Sequence, residues 1–135
     1  MSINKEGGCC CGAIRYRLEG LPIASMICHC RSCRRASGAP VMAWASMTTD
    51  CFTVLDGEPT IYSSSPGVTR WLCSTCGSQL ACASETHAGT IDIATATLDD
   101  AEAFPPTHHS WVSHDLVWVR FGDDLPTYQR SRADG

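Results

Sequence analysis

The stretch Cys28-His29-Cys30-Arg31-Ser32-Cys33-Arg34-Arg35 places three thiols within six residues, close enough to converge on one metal ion. Two further groups flank it: Cys9-Cys10-Cys11, which contains a C-x-C pair, and Cys73-Ser74-Thr75-Cys76, a C-x-x-C pair. Taking the first group as a pair, the three clusters offer seven ligands. Tetrahedral zinc uses four protein ligands in a closed structural site and three where a position stays open for chemistry. Seven is one of each, and the arithmetic points to a zinc enzyme. A chain that must bring these clusters together folds around its metal sites as much as around its core.

The remaining composition narrows the class. A chain of 135 residues is expected to form one zinc-binding domain, residues 1–135, with a core of modest size. A formal net charge of -4 gives no basic footprint for nucleic acid or an anionic membrane. No apolar run approaches the ~20 residues needed to span a bilayer. Met1 to Gly8 lacks the apolar core of a secretory signal. A cytoplasmic location is the expectation, and thiols stay reduced there, so the ten cysteines read as metal ligands before disulfides. Cysteines one or two residues apart also pair with each other only under strain.

Ala13-Ile14-Arg15-Tyr16-Arg17-Leu18 alternates apolar and basic residues, the pattern of a half-buried strand. Thr90 to Thr95 and Val117 to Phe121 alternate as well, while Val41 to Met47 and Phe52 to Leu55 are short and apolar. Thr60-Ile61-Tyr62 and Val68 to Leu72 complete the strand set, separated by turns at Asp56 to Pro59 and Ser63 to Gly67. Single helical turns are expected after Cys33 and around Asp99 to Ala103, and Ser131 to Gly135 as a frayed tail. Short strands punctuated by Gly and Pro predict a mainly β domain.

Spacing alone leaves two ways to divide the ligands. A zinc ribbon would use Cys30, Cys33, Cys73 and Cys76. The alternative joins Cys9 and Cys11 to Cys73 and Cys76 and leaves Cys28, Cys30 and Cys33 as a three-thiolate site. The second is favoured slightly, because three thiols so close in sequence are costly to divide between two metals.

Several spaced motifs in this chain resemble the glutathione-dependent formaldehyde-activating enzyme family, in its centromere protein V-like group. They are Gly8-Cys9-Cys10-Cys11-Gly12-Ala13-Ile14-Arg15-Tyr16, the Cys28 to Arg35 motif followed by Ser37-Gly38, and Trp44. Tyr62-Ser63-Ser64, Arg70 ahead of Leu72-Cys73-Ser74-Thr75-Cys76-Gly77-Ser78, and Leu98-Asp99-Asp100 continue the series. Pro106-Thr107-His108-His109-Ser110-Trp111 and Trp118 resemble its C-terminal signature. His114, where many relatives carry Lys or Arg, and Cys10 inside the first pair depart from the pattern.

The resemblance implies an Mss4-like fold of twisted β-sheets with short helical turns and zinc-binding loops. It implies two zinc ions: a structural one on Cys9, Cys11, Cys73 and Cys76, and a catalytic one on Cys28, Cys30 and Cys33. The implied reaction is that of a carbon-sulfur lyase, which condenses glutathione or a related thiol with formaldehyde to S-(hydroxymethyl)glutathione. A zinc held by three thiolates has a formal charge of -1 and is a weak Lewis acid, so a fourth thiolate suits it better than activated water. Arg31, Arg34 and Arg35 offer charge to offset the site or to hold substrate carboxylates. Arg35 is taken as a catalytic-site residue; Arg34, Trp44 and His109 are candidates for substrate binding. The expected partners are a small thiol and an aldehyde; the composition is compatible with an oligomer.

Each assignment has a plainer counterpart. The central cysteines could hold a purely structural zinc, making the chain a non-catalytic zinc-binding module with two structural metals and a protein partner. His29 reads as a spacer between ligands, the arginines as a solvated face, and His108 and His109 as surface residues. Trp44, Trp71, Trp111 and Trp118 read as core. Cys51 and Cys82 read as buried, inert thiols, and Asp99 and Asp100 as the start of a helical turn.

Overall fold

A computed structural model describes residues 3–132. Ten strands carry almost all of the regular structure. They are β1 (Asn4–Gly8), β2 (Arg15–Glu19), β3 (Ala24–Cys28), β4 (Met42–Thr48), β5 (Phe52–Asp56), β6 (Thr60–Ser65), β7 (Val68–Leu72), β8 (Gln79–Ser84), β9 (Thr90–Ala94) and β10 (His108–Ser110). One helix, α1 (Arg31–Ser37), follows β3. The strands form a three-stranded sheet, β1-β2-β5, and a seven-stranded sheet, β10-β3-β4-β9-β8-β7-β6. Every pairing is antiparallel except β10 with β3. The expected mainly β architecture is present.

The alternation read from the sequence sets the layers. In β2, Tyr16 and Leu18 are fully buried while Arg15 and Arg17 lie toward solvent. Those two side chains meet Met47, Leu80, Ile91 and Ile93 from the large sheet, and this contact is the main core. Burying a side chain of this size stabilises by ~1.5–3 kcal/mol. β1 also meets the segment that follows β9, where Gly7 bridges Leu98. A Cβ on Gly7 would lie 2.5 Å from the Thr97 carbonyl oxygen and from the Tyr16 hydroxyl, so only glycine fits there. A second, smaller cluster forms around Cys28, Cys33, Trp44 and Ala94.

Several expectations are corrected. Val117 to Phe121 alternates but is not a strand: Val119 N–H turns back to the Leu116 carbonyl, and Val117 and Trp118 are 80% and 69% exposed. β10, not this segment, pairs with the edge of β3. Trp118 is therefore not core, whereas Trp44 is buried and Trp71 and Trp111 are half-buried. The helix starts at Arg31, before Cys33, and the Asp99 to Ala103 segment is a turn without a helix. Asp99 instead holds Arg15 through a two-pronged ion pair, and Asp100 pairs with Lys5. Of the tail, Ser131 and Arg132 are described, and residues 133–135 lie outside the described residues.

Candidate metal centre

Two turns of like design make the first cluster. In one, Cys9 N–H donates to the Ile14 carbonyl and Gly12 N–H to the Cys9 carbonyl; in the other, Cys73 N–H donates to Ser78 and Gly77 N–H to Cys73. Gly12 and Gly77 sit at φ +81° and +78°, the left-handed region that lets each chain reverse tightly around its sulfurs. The turns link β1 to β2 and β7 to β8, so the cluster ties the small sheet to the large one. The four sulfurs of Cys9, Cys11, Cys73 and Cys76 all lie within 4.8 Å of one another. Cys9 and Cys73 are buried and Cys11 and Cys76 exposed. Amide and hydroxyl donors already favour thiolates here. Ile14 N–H donates to Cys9 Sγ at 3.2 Å, and the Ser78 hydroxyl and N–H hold the Cys76 thiol down to about 5. Cys10 points away, exposed, while its N–H donates to Ser78.

The second cluster comes from one continuous segment. Cys28 ends β3, Cys30 caps α1, and Cys33 lies in its first turn. Cys33 N–H donates to Cys30 Sγ at 3.3 Å, the turn that a C-x-x-C spacing makes without cost to the helix. Gly38 at φ +72° closes the helix by donating to the Arg34 carbonyl. The three sulfurs lie within 4.8 Å of one another, walled by Trp44, Ala94, Met26, Met42, Cys82 and Trp111. Hydrogen bonds from Cys28 and Cys33 hold the Cys30 thiol far down, to about 3, while the same contacts and burial push Cys28 up.

A buried cation faces the trio. Arg70, in the middle of β7, is 2% exposed; its Nη2 donates to Cys33 Sγ at 3.9 Å and its Nε to Ser64 Oγ at 3.2 Å. Arg70 lies opposite Cys82, which lies opposite Asp92. Burial pushes both Cys82, to about 11, and Asp92 upward. Cys82 is half-buried and packs beside the cluster, as Cys51 is half-buried elsewhere against Thr48.

Behind the segment runs a chain of rings. His29, 5% exposed, is no spacer: its Nε2 meets His109 Nδ1 at 2.9 Å, and His109 Nε2 meets both Asp123 oxygens at 3.1 Å. The backbone N–H of Leu125 and then His109 hold the Asp123 carboxyl below its ordinary range. As a carboxylate, Asp123 requires His109 to donate from Nε2; in the neutral ring, His109 Nδ1 then accepts from His29. Phe121 covers both rings. The expectation of surface histidines is corrected, since His108 and His109 are 5% and 3% exposed. His109 has both ring nitrogens engaged.

The remaining candidates scatter around the second cluster. Trp44 is in its wall. Arg34, half-buried, and Arg35, exposed, line an open cleft with Pro40, Leu116 and Trp118. Arg31 is exposed, and its N–H donates to Nδ1 of His114, which anchors the start of the helix. Sequence reasoning gave no role to Arg70 or Asp123. A lone charge between Thr69 and Trp71 in an apolar strand was the available signal for Arg70. Nothing in the sequence connects Asp123 to His109.

Among the described residues, no helix is long and apolar enough to cross a membrane. A crystal structure of a Rhodobacter sphaeroides protein superposes with a TM-score of 0.60 at 20% identity, covering 91% of this chain and 98% of that one. At that identity the likeness is one of fold. No curated protein matches the chain. A family model described as glutathione-dependent formaldehyde-activating enzyme matches residues 4–114.

Proposed function

The chain belongs to the glutathione-dependent formaldehyde-activating enzyme family, and from that membership we propose that it is a zinc-dependent carbon-sulfur lyase acting on a small thiol and formaldehyde. The observation that carries this reading is the inequality of the two sulfur clusters, one of four and one of three. Four thiolates complete a tetrahedral zinc; three leave a position for a ligand from outside. Cys9, Cys11, Cys73 and Cys76 would hold the structural ion, and Cys28, Cys30 and Cys33 the second. When bound there, zinc lowers the pKa of a coordinating thiol and keeps it as thiolate at neutral pH.

The chain's own residues supply the rest. Cys30, already disposed to be anionic, anchors the site. Trp44, Met26 and Met42 line it with apolar surface, which excludes water from a reactive aldehyde. Arg34 and Arg35, on the helix that carries Cys33, offer guanidinium groups to the carboxylates of a thiol such as glutathione. His109 and Asp123 hold His29, and with it the Cys28–Cys30 backbone. In the reaction the substrate sulfur bonds to the aldehyde carbon, the C=O π bond breaks, and the thiol's proton ends on the new hydroxyl. Nothing is oxidised or reduced.

Residues 1–135 act as one domain in this reading. The use of cysteines as metal ligands fits a reducing, cytoplasmic setting, where thiols stay reduced. The exposed side chains of Val117 and Trp118 favour one rival, a non-catalytic module that meets a protein partner. Exchange of 13C-formaldehyde into S-(hydroxymethyl)glutathione, followed by NMR, separates the two. Acceleration over the uncatalysed exchange is expected; its absence with every small thiol, in zinc-loaded protein, contradicts the enzyme.

A further inference from the structure

A buried guanidinium without a counter-charge costs several kcal/mol, and Arg70 is 2% exposed. Among the described residues it makes no ion pair with a carboxylate. Its Nε partner, Ser64, is neutral, and its Nη1 is buried with no hydrogen-bond partner. Asp92, two strands away across Cys82, is not the compensating group: its carboxylate is taken by the Ser46 hydroxyl, and burial favours its neutral form. What faces Arg70 is sulfur, with Cys33 Sγ 3.9 Å from Nη2 and Cys82 directly opposite on β8.

We infer that Arg70 is the fixed counter-ion of the three-cysteine centre and sets its preference for an anionic fourth ligand. The inference rests on the open three-thiolate site proposed above. Three thiolates leave a bound zinc at a formal -1, and a fourth thiolate takes it to -2. In a buried setting that second negative charge is strongly disfavoured unless a cation stands beside it. Arg70 returns the total to -1 without ligating. The exposed Arg35 on α1 cannot substitute, because a solvent-exposed charge is screened by water and salt. Arg70 is thus a positioning residue, whose fixed charge favours a thiolate such as that of glutathione over a neutral ligand. An equivalent cation is missing from the four-cysteine cluster, where among the described residues no Lys or Arg donates to a sulfur.

The test replaces zinc with cobalt(II) in the full-length chain and follows the thiolate-to-cobalt charge-transfer absorption during titration with glutathione. Arg70→Gln removes the charge and keeps a donor, Arg70→Met removes both, and Arg70→Lys keeps the charge. The Gln and Met pair covers the case in which one variant does not fold. The d–d bands before titration report an intact site. Glutathione should bind the Gln or Met variant about ten- to a hundredfold more weakly, while Lys recovers most of the affinity. Unchanged affinity in the uncharged variants, or a Lys variant as weak as they are, overturns the inference while leaving the open site standing. Wild-type protein that takes up no thiol overturns the open site and the inference with it.

Discussion

The two sulfur clusters use the same ligand chemistry and are built in opposite ways. The four-sulfur cluster joins two distant turns, Cys9–Ile14 and Cys73–Ser78, and half of its sulfurs face solvent. The three-sulfur cluster comes from one run of six residues, lies beneath Trp44 and Trp111, and faces a buried arginine. A site that closes a long loop between sheets contributes stability, because the ordering it imposes is lost when the metal leaves. A local site contributes little of that kind, so its composition is free to serve binding. In the proposed reading, sequence separation between ligands, as much as their number, divides the structural from the reactive metal.

The sharpest way to break this comparison is to remove one ligand from each cluster. Cys73→Ser should abolish the cooperative unfolding transition, since structural zinc sites carry apparent binding energies of ~10–16 kcal/mol. Circular dichroism and chelator titration would show it; a folded, cooperative Cys73→Ser protein contradicts the structural role. Cys30→Ser should keep the fold while formaldehyde turnover disappears. A Cys30→Ser protein that unfolds like Cys73→Ser would make the clusters equivalent.

Smaller effects sharpen it. Asp123 holds the ring chain behind Cys28–Cys30, and its folded pKa is depressed. A depressed carboxylate contributes stability above its unfolded value of ~3.9 and loses it as pH falls through the folded value. The melting temperature of Asp123→Asn should therefore lie a little below wild type at neutral pH, and the gap should close in acid. A gap that widened on acidification would reverse the assignment. Arg35→Ala is the mildest change: KM for glutathione should rise about two- to fivefold at low salt, as expected for an exposed pair. KM for an uncharged thiol should not move, and an equal rise for both would remove the carboxylate role.

Much of this was legible in advance, for identifiable reasons. β2 and β9 declare themselves because their alternation matches the burial of Tyr16, Leu18, Ile91 and Ile93. β7 follows from its run straight into Cys73, while spacing leaves the division of sulfurs open and the family resemblance favours the four and three that the sulfurs form. β1 escapes because Asn4-Lys5-Glu6-Gly7-Gly8 carries almost no strand propensity and is held by pairing with β2. β8 escapes behind its alanines, and β10 is three residues made a strand only by β3. Val117 to Phe121 misleads in the other direction, since its alternation is not matched by pairing to a strand and Val119 turns back on Leu116 instead. At the site, Cys ligands speak through local spacing. Arg70 and the Asp123–His109–His29 chain depend on contacts across 14 to 80 residues, which no local pattern records.

Zinc stoichiometry by elemental analysis, with glutathione-plus-formaldehyde turnover on the same samples, tests the central claim most directly. Two zinc ions in wild type, one in Cys30→Ser, and turnover lost in a variant that stays folded are the predicted results. Two zinc ions and full turnover in Cys30→Ser would contradict the account.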